Sequence, residues 1–199
     1  MIPAWKQRLH ETLAEHAADR GVDGSVPRVR QVVHRGFMEE ERGVPNERTA
    51  FLTTTDVRSP KAAEIHARPN VEVDWYIHPA KVQFRIAAQA YMVPGAQHSW
   101  RASLPGRLAP GRGWDAERRR VWDALSPPMQ ASFRGPPPGT PLADATHVDE
   151  LTDDAAGIPS SFALIVLDPT AVDVLDLDQR KRVVYKHESD SWSATQVAP

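Results

Sequence analysis

The 199-residue chain contains no cysteine. That excludes a disulfide framework, a thiolate metal site and a cysteine nucleophile, and it suits a reducing, cytoplasmic setting. Also missing is any apolar run near the roughly 18 residues that a membrane helix needs. The opening residues, Met1-Ile2-Pro3-Ala4-Trp5-Lys6, do not form a signal-peptide core. No membrane association is expected. Charge of one sign is not in excess either: 24 Lys plus Arg stand against 26 Asp plus Glu, a formal net charge of −2. Nucleic-acid binding needs clustered positive charge, so it is not expected. The eight histidines are scattered, without the four-residue helical spacing of a zinc pair or an H-E-x-x-H motif, and no metal centre is expected. G-x-S-x-G, P-loop and G-x-G-x-x-G motifs are all lacking. At this length one core can form without staples.

What is present reads as a mainly β, α+β chain forming one domain over 1–199. A helix is expected over about 3–19, with Trp5, Leu9, Leu13 and Ala17 as its apolar stripe. Arg28–Phe37 and Arg48–Thr55 are rich in β-branched residues and read as strands, joined by a polar connection over 39–46. A short helix over about 60–67 is stopped by Arg68-Pro69-Asn70. Val71–Ile77 alternates as a half-buried strand, His78–Lys81 turns, and Val82–Val93 is a longer strand. Four strands with tight connections have the rhythm of an antiparallel barrel. A helical insertion of about 96–134 follows. It includes Gln97–Trp100, Trp114–Leu125 with a stripe of Trp114, Arg118, Val121, Trp122 and Leu125, and a helix from Ser126 to Phe133. A rigid Pro-rich loop and an acidic helical piece over Asp144–Asp154 come next, with Asp149, Glu150, Asp153 and Asp154 as solvated surface. Ser160–Leu167 is a buried strand that Asp168-Pro169 should end. A further strand over 172–177 precedes two last ones, over 183–185 and 192–197.

The chemistry concentrates in Asp56-Val57-Arg58-Ser59-Pro60-Lys61. Ser59 is a good N-cap and Pro60 suits the first helical position. The first-turn N–H groups, flanked by Arg58 and Lys61, read either as a ready anion site or as an ordinary capped helix with solvated cations. Other cations stand at element ends: Arg30, Arg35, Arg85, Arg180 and Arg182. Guanidinium groups pair phosphate oxygens bidentately, so a phosphorylated ligand would use a few of them. His34 reads as a hydrogen-bonded barrel residue, and most of the six tryptophans as core fillers.

Several motifs, in this order and spacing, resemble the FMN-binding, pyridoxamine 5′-phosphate oxidase-like proteins over nearly the whole chain. They are R-V-R-Q-V-V-H-R-G-F (28–37), T-D-V-R-S-P-K (55–61), W-Y-I-H-P-A-K-V-Q-F-R-I (75–86), W-x-x-L-S (122–126), P-x-P-G (136–139), L-D-P-T-A-V-D-V-L-D-L followed by R-K-R-V-V-Y (167–185), and the W-x-x-x-x-V-x-P ending. The resemblance implies a six-stranded antiparallel split β-barrel with flanking helices, working as a homodimer with FMN in the subunit interface. By position, Arg30, Gln31, Val32, Val33 and Arg35 would lie along the isoalloxazine ring, and Thr54 and Thr55 would close the strand end. Arg58, Ser59 and Lys61 would hold the phosphate. Gln83 would reach FMN from the opposite subunit, and Arg182 would stand near the flavin. Pro60 replaces a frequent family Arg, Thr54 replaces a usual Tyr or Val, and in the 126–133 helix Gln130 and Ser132 are candidate contacts. The implied activity is FMN-dependent oxidation or reduction of a small organic substrate. The alternatives are a flavin-binding module for storage or sensing, and a barrel using deazaflavin or haem. The R-S-P-K phosphate site favours FMN over haem but does not separate it from deazaflavin. True oxidases of the family carry R-x-H-x-R near the C-terminus. Here the stretch is Asp178-Gln179-Arg180-Lys181-Arg182, which predicts a poor pyridoxamine 5′-phosphate oxidase.

Overall fold

A computed structural model describes residues 27–38, 50–141, 143, 151–188 and 191–199. The chain divides into two compact units, Met1–Gln31 and Val32–Pro199. The helix expected over 3–19, the connection over 39–46, the first residues of the second expected strand and most of the acidic segment lie outside the described residues. Of the first unit, residues 27–31 are exposed and carry no strand.

The second unit is built on six antiparallel strands: β1 (Phe51–Asp56), β2 (Asn70–Ile77), β3 (Val82–Val93), β4 (Phe162–Asp176), β5 (Lys181–Glu188) and β6 (Ser191–Val197). The sheet runs β2-β3-β4-β5-β6, with β1 branching off β4. One edge of β4 pairs with β3 from Leu164 to Asp176. Its other edge pairs first with β1, over Phe162–Leu167, and then with β5, over Ala171–Asp176. A single long strand thus serves two sheet lobes, which gives the split of the barrel. Among the described residues three α-helices, α1 (Pro60–Ala67), α2 (Trp114–Asp123) and α3 (Pro127–Ser132), flank it. Among the described residues no helix is long and apolar enough to cross a membrane.

Both faces of the first half of β4 are buried, which explains its unbroken apolar sequence. Phe162, Leu164 and Val166 pack with Leu52 against Val121, Trp122, Leu125 and Phe133 of the helical insertion. Trp122, Phe133 and Phe162 meet edge to face, with centroids 5.0–5.9 Å apart. Ala163, Ile165 and Leu167 face the other way, onto Phe51, Ile86, Ala88, Ala90, Met92 and Ala62 of α1.

Three sequence expectations are corrected. Asp168-Pro169 does not end a strand: β4 runs through it. Pro169 falls where β1 has stopped pairing, after Leu167, and β5 has not begun, before Ala171. Its missing N–H therefore costs no ladder bond on that edge. On the β3 edge the register shifts between Ala87 and Ala88, a bulge that absorbs Thr170. Arg28–Phe37 is not a strand either. Residues 32–34 are exposed and unladdered, and pairing begins only where Arg35 N–H reaches Leu52 O (2.7 Å), Leu52 N–H reaches Gly36 O (2.9 Å) and Met38 N–H reaches Ala50 O (3.0 Å). β-Branched composition makes a strand only where a partner ladder exists.

The third correction concerns the acidic piece. Its described part is not helical: Asp153 bridges Pro159, and Asp154 turns the chain by accepting from the N–H groups of Ala156 (2.9 Å) and Ile158 (3.0 Å). Asp154 also receives Nη1 of Arg118 at 2.9 Å. Arg118, the cation in the α2 stripe, is 1% exposed, donates Nη2 to Phe162 O at 3.0 Å and lies over the Phe162 ring. Burial pushes Asp154 upward, but the bonds from Ile158, Arg118 and Ala156 outweigh it and hold the carboxyl below its ordinary range.

Arg118→Ala should cost about 3 kcal/mol in urea denaturation, because it strips a buried, hydrogen-bonded cation from the core. Arg119→Ala, whose pair with Asp123 is solvated, should stay within about 0.5 kcal/mol. A depressed carboxyl pKa stabilises the fold above the unfolded-state value. The Asp154 contribution should therefore be present above about pH 4 and be lost as pH falls further, and the wild type should lose more stability over that range than Asp154→Asn.

Candidate functional site

The turn from β1 into α1 is closely hydrogen-bonded. Ser59 has extended backbone at the N-cap, and Pro60 occupies the first helical position. The Ser59 hydroxyl donates to Asp56 O (2.7 Å), accepts from Ala62 N–H (3.3 Å) and lies 3.2 Å from Oγ1 of Thr55. Thr55, Asp56 and Ser59 are buried, while Thr54, Arg58 and Lys61 are half-buried. The three residues expected at the phosphate, Arg58, Ser59 and Lys61, and the two expected at the strand end, Thr54 and Thr55, thus lie on one short stretch from β1 into α1.

Arg58 is held closely there. Its Nε and Nη2 fork onto the two Asp56 carboxylate oxygens at 3.0 and 2.7 Å, and its own N–H bonds the same carboxylate at 2.8 Å. Nη2 also reaches Phe133 O (3.3 Å) and Gly135 O (3.1 Å) at the end of α3. Sequence reasoning quoted Asp56 but gave it no role. The available signal was an acid two residues before Arg58, the spacing of an Asx turn.

A second group lies on the polar face of β3, β4 and β5. Gln83 of β3 pairs with Leu175 of β4, and Leu175 with Arg182 of β5, so Gln83 and Arg182 stand in one row on one face. Gln83 Nε2 donates to Asp74 (2.8 Å). Arg182 forks onto Asp173 at 3.0 and 2.8 Å, and Arg85 bonds the same carboxylate at 2.6 Å. The bond from Arg182, then the charges of Arg85 and Arg182, hold Asp173 below the ordinary carboxyl range against its partial burial. Asp173 is a second residue that sequence reasoning left without a role. Asp178 pairs with Lys81 at 2.8 Å, and both are exposed.

The remaining expected residues are more dispersed. Val32 and Val33 are 41% and 54% exposed, and Arg35 joins the edge of β1. Arg30 and Gln31 belong to the first unit. His34 packs among Trp75, Phe37 and Phe51, with centroids 4.9–6.0 Å away, and burial lowers its pKa. Gln130 donates to Trp122 O, and the Ser132 hydroxyl to Met129 O. A cavity of about 210 Å³ beside His66 and Trp100, at the far end of α1, is below the roughly 300 Å³ of a typical small-molecule site.

Residues 3–94 match the family model for the FMN-binding domain of pyridoxamine 5′-phosphate oxidase. That domain's family implies FMN as the cofactor. Pyridoxine/pyridoxamine 5′-phosphate oxidase 2 of Arabidopsis thaliana is 24% identical, over 100% of this chain and 98% of that protein. Two crystal structures share the fold. A pyridoxamine 5′-phosphate oxidase-related, FMN-binding protein from Nostoc punctiforme superposes with a TM-score of 0.69 at 24% identity, each chain covered fully. PhzG from Burkholderia lata, in complex with tetrahydrophenazine-1-carboxylic acid, gives 0.57 at 17% identity, over 100% and 98% of the two chains.

The β1–α1 turn offers a phosphate group a helix start and a neighbouring lysine, with the Asp56 carboxylate already paired to Arg58. The cap itself is testable without ligand. Ser59→Ala should destabilise the protein by about 1–2 kcal/mol, because it removes a buried capping bond. Ser126→Ala should cost only a few tenths of a kcal/mol, because the Ser126 side chain makes no cap bond to α3. Urea midpoints of the two variants compare them directly.

Proposed function

We propose that the protein is an FMN-dependent oxidoreductase acting on a small organic substrate, with FMN held between two copies of the chain. The observation that carries this reading is the Ser59-capped start of α1, where Lys61 stands in the first turn and Arg58 neutralises Asp56. Bound FMN supplies the hydride chemistry, and the protein supplies orientation and electrostatics. In this reading Ser59, Lys61 and Thr55 take the phosphate end. Residues 32–35 and Thr54 follow the ring, while Gln83 and Arg182 approach from the polar sheet face of the partner copy. The two residue groups occupy separate parts of the fold, as a site shared by two copies requires. An exposed apolar set, Val32, Val33, Phe37, Tyr76, Ile77 and Leu177, supports burial of this surface in a homodimer. Anaerobic addition of NADH or NADPH to the flavin-loaded protein tests turnover chemistry. Bleaching of the flavin band is expected, and a yellow protein that neither nucleotide reduces would instead be a flavin-binding module.

The substrate is not pyridoxamine 5′-phosphate in this reading, although the Arabidopsis relative is named for that activity. The position where the resemblance places a substrate-binding cation is Asp178, already paired with Lys81. The lost attraction amounts to about 2–5 kcal/mol. Oxidation of pyridoxamine 5′-phosphate should therefore fall well below the roughly 10⁴ M⁻¹s⁻¹ at the lower end of ordinary kcat/KM values, measured as pyridoxal 5′-phosphate formed. Lys61→Ala should weaken FMN binding about tenfold or more, and Arg112→Ala, in the Gly/Pro loop, should not. Fluorescence titration of the two variants gives the comparison.

A further inference from the structure

We infer that Arg58 is a positioning residue that neutralises Asp56 and braces the phosphate turn against the helical insertion, rather than a ligand of the phosphate itself. This rests on the FMN reading for its consequence but not for its geometry. The guanidinium already makes two bonds to Asp56 and two to the carbonyls of Phe133 and Gly135. Its remaining Nη1 is buried, with no hydrogen-bond partner among the described residues, so no edge of the fork is presented outward. The carbonyl of Phe133 also accepts from the Ser161 hydroxyl. Ser161 O in turn accepts from Val57 N–H at 2.8 Å. Arg58 and Ser161 therefore clamp the end of α3, the start of β4 and the Asp56–Ser59 turn into one polar knot.

The electrostatic consequence is specific. Asp56 is 7% exposed and stands three residues before the cap. Uncovered, its carboxylate would oppose an anion at the start of α1. Forked by Arg58, it leaves Lys61 and the helix start to set the sign of the site. Lysine cannot reproduce the planar fork and the two carbonyl bonds together.

The test is a cycle of Arg58→Gln, Asp56→Asn and the double variant, each measured as flavin-stripped protein and by FMN titration, with Arg58→Lys as a milder variant should Arg58→Gln not fold. Arg58→Gln should lower the apoprotein Tm by roughly 5–10 °C, with the loss in the double variant smaller than the sum of the single losses. Arg58→Lys should fall in between. FMN affinity should drop about tenfold in Arg58→Gln and recover at least roughly threefold in the double variant, because the uncovered carboxylate is then gone. An apoprotein Tm unchanged by Arg58→Gln and Arg58→Lys, or a double variant that binds FMN no better than Arg58→Gln, would overturn the proposal and make Arg58 a direct ligand. A wild type that bound no FMN would remove the flavin reading while leaving the apoprotein cycle to decide the brace.

Discussion

Everything described in the second unit hangs on β4, a strand buried on both faces of its first half and paired on both edges for most of its length. Its Phe162–Leu167 stretch carries β1 to the turn proposed for the phosphate, while its Ala171–Asp176 stretch carries β5 and Arg182. Strand pairing is cooperative and has a fixed side-chain period, so a slip of one residue would exchange the two cores and move both halves of the site. Pro169 and the bulge opposite it sit at the handover between β1 and β5. They allow one strand to serve two lobes.

The polar chemistry follows one pattern throughout. Four arginines are each met by a carboxylate: Arg118 by Asp154, Arg58 by Asp56, Arg182 and Arg85 by Asp173. Where the pair is buried, its worth lies in specificity, because removing one partner strands the other in low dielectric. Arg118 ties α2 to the start of β4, and Arg58 ties the β1–α1 turn to the end of α3. The helical insertion is thus fastened at two points to the same end of the barrel, close to the phosphate turn. Conformational freedom at that turn is correspondingly small.

Much of this was legible in the sequence where the signal is local. The cap Ser59 and Pro60 set α1, and the turn at His78–Lys81 with alternation on both sides set β2 and β3, whose bounds agree to within a residue. The resemblance carried the six-stranded count, although local reading produced eight strands. It took Arg28–Phe37 for a strand and split β4 at Pro169, because composition reports propensity and cannot report which backbone edge lacks a partner. The site was legible in the same uneven way. The turn residues Thr55, Ser59 and Lys61 come together because they are neighbours in sequence. Gln83 and Arg182 share a row only through strand register, which no local pattern encodes. Asp154 and Asp173 were invisible as partners, since pairing over 36 and 9 residues depends on fold rather than on composition, whereas Asp56 carried a local signal two residues before Arg58.

The central claim is that the capped start of α1 recognises the phosphate of a flavin. Equilibrium titration of the flavin-stripped protein with FMN and with riboflavin, side by side at fixed ionic strength, tests it most directly. The two ligands share the ring and ribityl chain and differ only in the phosphate, which a charge-assisted site should favour by about tenfold to a hundredfold. The account predicts that margin for FMN, shrinking as salt rises. Equal affinities for the two flavins would contradict it.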